Sequence, residues 1–210
     1  MEMVMLFSEY LRSGISSVQG WCSPQKAEKL YEVLLKPECR LSLEIGVFGG
    51  SSLFPQAMAF RDKKNGMAIG IDPWTNASCL EDMENPANKN WWGNLDLEHV
   101  YLDFMNKVKA FGVHNNLKVY RKKSSEVHQK FEDESVDLLH IDGNHCERLA
   151  CEDSVNYLPK VRRGGYIFFD DIMWTESGNK LSTRKGLDFL LKSCDEVELV
   201  GNDCMILRKR

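Results

Sequence analysis

Five short apolar segments alternate with stretches of helical spacing, and this alternation constrains the fold more than anything else in the chain. The segments are Leu41–Ile45, Met67–Ile71, Leu117–Tyr120, Val136–Ile141 and Gly165–Phe169. Apolar residues recur at helical intervals over Ser52 to Phe60, His99 to Phe111 and Arg148 to Tyr157. Strands alternating with helices, with the most apolar strands in mid-chain, predict a parallel sheet covered on both faces. Near the carboxyl end, Val197–Val200 and Cys204–Leu207 flank Gly201-Asn202 and read as two strands around a tight turn, one of them antiparallel. The expected fold is therefore α/β and doubly wound, a mostly parallel seven-stranded sheet with helices on both faces. Residues 1–38 are expected to form a helical lead-in, because apolar residues keep helical spacing from Leu6 to Leu35 and Ser23-Pro24 opens a helix.

A chain of 210 residues can bury one substantial core, so a single domain over 1–210 is expected. The hydrophobic share of 43% and charged share of 28% are those of a globular protein. A net charge of −4 with scattered basic residues argues against a nucleic-acid partner. Seven cysteines without a CxxC pair read as reduced thiols of a cytoplasmic chain, and no segment has the length and apolarity of a membrane span.

Residues 76–96 hold Pro86, several asparagines and Trp91-Trp92 without a clear period. They are expected to form a substrate lid without regular structure, because long irregular stretches in compact domains are usually functional.

The first apolar segment runs into Glu44-Ile45-Gly46-Val47-Phe48-Gly49-Gly50-Ser51-Ser52, and the second stops at Asp72. Glycines after a strand let backbone pass close to a ligand, and an acidic residue at the end of the next strand is placed to bind ribose hydroxyls. Together they indicate an adenosine-containing ligand. The loop is neither GxGxxG nor a phosphate loop ending in GK[ST].

The fourth and fifth segments end in His140-Ile141-Asp142-Gly143-Asn144-His145 and Phe168-Phe169-Asp170-Asp171. Neighbouring parallel strands lie about 5 Å apart, so Asp142, Asp170 and Asp171 can converge on one divalent ion, Mg²⁺ or Mn²⁺. The aspartate pair also fits a turn that caps a helix. His145, three residues past Asp142, reads as a general base or as a group that holds Asp142 in place. His140 reads as structural, and His99, His114 and His128 as surface residues.

The pattern ExGxxxGxS followed by Gly70-Ile71-Asp72-Pro73-Trp74 resembles the S-adenosylmethionine site of class I methyltransferases. VDLLHIDGNH and YLPKVRRGGYIFFDDI resemble the metal-dependent O-methyltransferases, above all the macrocin-type sugar enzymes. Catechol enzymes are more distant, since they pair the last aspartate with an asparagine. The resemblance implies that Gly46 and Gly50 admit the methionine part, that Ser52 binds its carboxylate and that Asp72 binds the ribose. Ser124 would lie near the adenine, and Glu44, Phe48, Ser51 and Asp142 would complete the cofactor site. Asp142, Asp170 and Asp171 would hold the metal, with His145 and Asp142 catalytic.

The function expected on these grounds is methyl transfer to a sugar hydroxyl, as on a deoxysugar such as rhamnose in a glycan or glycoside. Trp74, Trp91, Trp92 and Trp174 could stack on the sugar. Two alternatives stand beside it: a catechol or phenol acceptor, and a non-catalytic nucleoside-binding scaffold. A homo-oligomer is compatible with all three. Acceptor, hydroxyl position and preferred metal are not encoded in these motifs.

Overall fold

The computed structural model describes residues 5–176 and 180–210. Its strands are β1 (Leu41–Ile45), β2 (Met67–Ile71), β3 (Leu117–Tyr120), β4 (Val136–Ile141), β5 (Val161–Phe169), β6 (Cys194–Val200) and β7 (Cys204–Lys209). They form one seven-stranded sheet in the order β3-β2-β1-β4-β5-β7-β6, parallel up to β5, with β7 antiparallel to both β5 and the edge strand β6. The helices are α1 (Phe7–Glu9), α2 (Pro24–Leu35), α3 (Leu53–Asp62), α4 (Asn76–Cys79), α5 (Pro86–Asn94), α6 (Leu97–Ala110), α7 (Ser124–Val127), α8 (Glu147–Tyr157) and α9 (Arg184–Leu191).

Alternation along the central strands sends side chains into two cores. Ala68, Leu138, Phe168 and Ile206 pack with α2, α3 and α6, whereas Ile69, Leu139, Ile167 and Leu207 pack with α8 and α9. Fully buried Phe54, Phe60 and Phe104 anchor the first core, each contributing about 1.5–3 kcal/mol of apolar burial. The edge strand β6 carries Asp195, Glu196 and Glu198 on its exposed stretch, charges that discourage pairing with another edge.

Two expectations need correction, while the lead-in is helical in two parts as expected: α1, a π-helical turn (Tyr10–Gly14) and a 3₁₀ turn (Ile15–Ser17) precede an irregular stretch over 18–23, and α2 follows from Ser23-Pro24. Residues 1–4 of that lead-in lie outside the described residues. Strand β5 begins at Val161, and a register shift against β4 accommodates Arg162 to Gly165, a run whose paired arginines and glycines had hidden the strand. The lid, finally, has regular structure. Thr75 caps α4, and the Asn85 side chain accepts from Ala87 N and Asn88 N at the start of α5, where Pro86 takes the first turn.

The chain winds from β1 to β2 and β3 on one side and returns to β4 and β5 on the other, so the winding reverses between β1 and β4. Ligands of open α/β sheets bind at the carboxyl ends of such strands.

Candidate functional site

At the reversal point Gly46 has φ +83°, and a Cβ there would stand 1.9 Å from the Asp142 carbonyl oxygen. Only glycine lets the loops after β1 and β4 approach this closely. Asp72, at the end of β2, organises the rest of the loop. Its Oδ2 accepts from Val47 N (2.9 Å) and Phe48 N (3.0 Å), and its Oδ1 accepts from Trp74 N (2.7 Å). Phe48 and Trp74 are both left-handed, with φ +48° and +47°. That conformation costs a non-glycine residue roughly 1–2 kcal/mol, so one carboxylate pins two strained residues. Burial pushes the Asp72 carboxyl up, and the three amides work in the other direction.

Two residues expected at the cofactor lie elsewhere. Gly50 (φ +88°) faces Phe104, whose ring atoms would be 2.7 Å from a Cβ, so its smallness serves packing between α3 and α6. Glu44 is fully buried behind the cavity, where Ser52 Oγ (2.9 Å) and Gln56 Nε2 (2.5 Å) donate to it. Ser52 therefore commits its hydroxyl proton to Glu44 instead of holding it free for a ligand carboxylate. Ser51 lines the cavity and its carbonyl accepts from the Tyr10 hydroxyl at 2.6 Å.

From Glu44 a buried line of charges crosses the sheet. His140 Nδ1 lies 3.0 Å from Glu44 Oε2, and His140 Nε2 lies 3.2 Å from Asp170 Oδ2. The same Asp170 Oδ2 accepts from the Lys26 ammonium, which α2 delivers into the cavity wall. Burial works against the charge of each group. The two carboxylates nonetheless raise His140 to about 10. His140 and Lys26 hold Asp170 well below the usual carboxylate range. Asp142 and Asp170 raise Lys26. Sequence reasoning missed Lys26 altogether.

The second part of the site is more open. His145 Nε2 lies 3.1 Å from Asp171 Oδ2 and 3.6 Å from Asp142 Oδ1, without hydrogen-bond geometry to a partner. Burial opposes protonation of His145, but the surrounding aspartates raise its pKa. Burial, reinforced by the Asp170 charge, pushes Asp142 up, and Asp171 is also raised by burial. Among the described residues, two overlapping sets bring ligand atoms within 4.8 Å of one another: His140, Asp142 and Asp170, and Asp142, His145 and Asp171. Asp142 belongs to both sets, with Asp170 in one and Asp171 in the other. Asp170 Oδ1 is buried and has no hydrogen-bond partner.

These groups face a cavity of about 530 Å³, within the range of small-molecule sites. Asp72, Ser124, Asp142 and His145 line it, and so do Trp21, Trp91 and Trp92. The Ser124 hydroxyl donates to buried Asp153, and burial raises that carboxyl to about 7. Trp21 stacks on Phe48 at 5.4 Å between ring centroids and meets Trp91 and Trp92 edge-on. Trp21 is 68% exposed and Trp91 41%, so an aromatic shelf stands open at the mouth. Of the tryptophans expected to stack on a ligand, Trp74 is turned inward against Tyr101 and Phe104 and donates to the Phe48 carbonyl. Trp174 meets His145 edge-on at 4.8 Å and donates to Glu176.

The lid is latched from two sides. Asn144, after β4, donates to the carbonyls of Ser78, Cys79 and Glu81. Glu176, after β5, accepts from Glu84 N and Asn85 N. The loops that carry the acidic cluster therefore also hold residues 76–96 in place.

Comparison with known proteins agrees with this geometry. The profile of a methyltransferase domain family matches residues 43–172, from β1 through the aspartate pair. The uncharacterised protein R132 of Acanthamoeba polyphaga mimivirus is 31% identical over 134 residues, which are 61% of this chain and 50% of that protein. The chain thus spans about half the length of this curated relative. An O-methyltransferase from Bacillus cereus in complex with SAH superposes with a TM-score of 0.64 at 15% identity, covering 96% of this chain and 90% of that one. The O-methyltransferase NovP superposes with a TM-score of 0.66 at 14% identity, covering 89% and 80%. At such identities the likeness to solved structures is one of fold.

Proposed function

The chain belongs to the methyltransferase domain family, and from that premise we propose that it transfers the methyl group of S-adenosylmethionine to a sugar hydroxyl with a divalent metal. The observation that carries the metal is the buried, unpartnered Asp170 Oδ1 in the acidic cluster around Asp142. Buried polar atoms are rarely left unsatisfied, and hard carboxylate oxygens suit Mg²⁺ or Mn²⁺. Asp142, Asp171 and Asp170 through Oδ1 would hold the ion. When bound, such an ion lowers the pKa of an acceptor hydroxyl and offsets the charge that develops on its oxygen.

The remaining work falls to the chain's own residues. Asp72 holds the loop after β1 in shape and offers carboxylate oxygens to the ribose. His145 takes the acceptor's proton, and Asp142 and Asp171 beside it favour the imidazolium that results. Bound S-adenosylmethionine would supply the electrophilic methyl group for the acceptor oxygen, and residues 76–96, latched by Asn144 and Glu176, would exclude water. An aromatic shelf beside an acidic cluster suits a ring with one apolar face and neighbouring hydroxyls, which supports a sugar. We take residues 1–210 as one methyltransferase domain that works in the cytoplasm on small-molecule or glycan acceptors, without nucleic acid or membrane. No helix among the described residues is long and apolar enough to cross a membrane.

The test is methyl transfer to nucleotide-linked and glycoside-linked deoxysugars, with catechol as comparison, read by mass spectrometry. Transfer to a sugar should stop on chelation and return with Mg²⁺ or Mn²⁺. Full activity after exhaustive chelation would remove the metal, and transfer to catechol alone would remove the sugar.

A further inference from the structure

Lys26 is the unexpected occupant of this site. Its side chain is 7% exposed, its ammonium contacts Asp170 Oδ2, and it lines the same cavity as Asp142 and Asp171. A lysine is seldom taken out of water unless paired, and here the backbone is arranged to deliver it. Ser23 caps α2 by accepting from Lys26 N itself, and Pro24 starts the helix, so Lys26 stands in the first turn with its orientation fixed.

The local charge balance gives this placement a meaning. Asp142 offers a ligand atom within 4.8 Å of Asp170 in one set and of Asp171 in the other, so it joins the two aspartates of the pair. His140 lies between Asp170 and Glu44, and its charge is already answered by Glu44. His145 lies against Asp171 and Asp142, so Lys26 is the cation on the Asp170 side of the cluster, where its charge offsets that of the Asp170 carboxylate. It also occupies Asp170 Oδ2 together with His140, which leaves Oδ1 as the open ligand atom.

We infer that Lys26 is a resident cation of the acidic cluster, a positioning residue that restricts Asp170 to one ligand oxygen and sets the cluster's affinity for a divalent metal. The inference rests on the metal reading above. Two positive charges a few ångströms apart repel strongly at a partly buried site, so Lys26 keeps metal binding weaker and more exchangeable than three bare carboxylates would.

The experiment is calorimetric titration of the intact, metal-stripped protein with Mn²⁺, without S-adenosylmethionine or acceptor, for wild type, K26M, K26Q and K26R. K26M and K26Q remove the charge and should bind Mn²⁺ at least about ten-fold more tightly, while K26R should return affinity to within a few-fold of wild type. If K26M fails to fold, as thermal melting will tell, K26Q and K26R carry the comparison. Wild-type affinity in K26Q would mean that Lys26 contributes a hydrogen bond and not a charge, and would overturn the inference while leaving the metal reading intact. Weaker binding in K26M or K26Q would overturn it equally, since it would make Lys26 a prop for Asp170. Should no protein in the set bind Mn²⁺, the metal reading falls and the inference falls with it.

Discussion

Asp72→Ala perturbs loop shape and ligand binding at once, and the two effects can be separated. In the free protein the carboxylate accepts three backbone hydrogen bonds, from Val47, Phe48 and Trp74. Hydrogen bonds to a charged group contribute roughly 1.5–3 kcal/mol each, which gives a gross loss of about 4.5–9 kcal/mol. Releasing Phe48 and Trp74 from left-handed backbone recovers roughly 1–2 kcal/mol apiece. From the middle of these ranges the net destabilisation is about 4 kcal/mol, a fall in Tm of roughly 8–16 °C for a chain of this size. Cofactor affinity should fall by about ten-fold to a hundred-fold from the ribose contacts alone, and further because the loop must be ordered on binding. Asp72→Asn keeps one acceptor oxygen and should lie between wild type and Asp72→Ala in both measurements. Thermal melting of the free protein and calorimetry with S-adenosylmethionine report the two losses separately. An unchanged Tm would refute the role in shaping the loop, and unchanged affinity would remove Asp72 from the nucleoside site.

Gly50→Ala sets a Cβ 2.7 Å from the Phe104 ring at φ +88°, so it should cost about 2–5 kcal/mol from overpacking and backbone strain. The urea midpoint should drop while cofactor affinity of the folded fraction holds, and an unmoved midpoint would show that the ring yields. Asp153 has a pKa raised from 3.8 to about 7, first by burial, so its folded-state contribution is complete below about pH 4 and is lost as pH rises through 7. Asp153→Asn removes that titration, and its Tm should gain on wild type between pH 4 and pH 8, by up to about 4 kcal/mol in stability. A Tm difference that stays constant across this range would contradict the raised pKa.

How much of this could be read from the sequence depends on how local each cause is. The strands showed themselves because β1, β2 and β4 are mostly apolar and stop at Gly46, Asp72 and Asp142. Those same stops mark the carboxyl edge of the sheet, where the acidic residues gather. The lid's helices carried a signal that went unused: Asn85-Pro86 is a cap followed by a first-turn proline, but among so many asparagines it reads as loop. Glu44 was misplaced for a different reason. In a strand buried on both faces, burial cannot say which side faces a ligand. Register can, because Glu44 pairs with His140 and each stands two residues before the loop residue that closes its strand, Gly46 or Asp142. Two residues at the same offset on neighbouring parallel strands share a face, so the Glu44–His140 contact was open to inference. Lys26 and Trp21 had no such trace. Lys26 meets Asp170 across 144 residues and Trp21 meets Phe48 across α2 and β1, so the identity of each becomes meaningful only after the sheet has brought its partner there. Long-range pairs of this kind are also where the chemistry is tuned, since the strand pattern sets three aspartates at the carboxyl ends of β4 and β5 but not how much positive charge meets them.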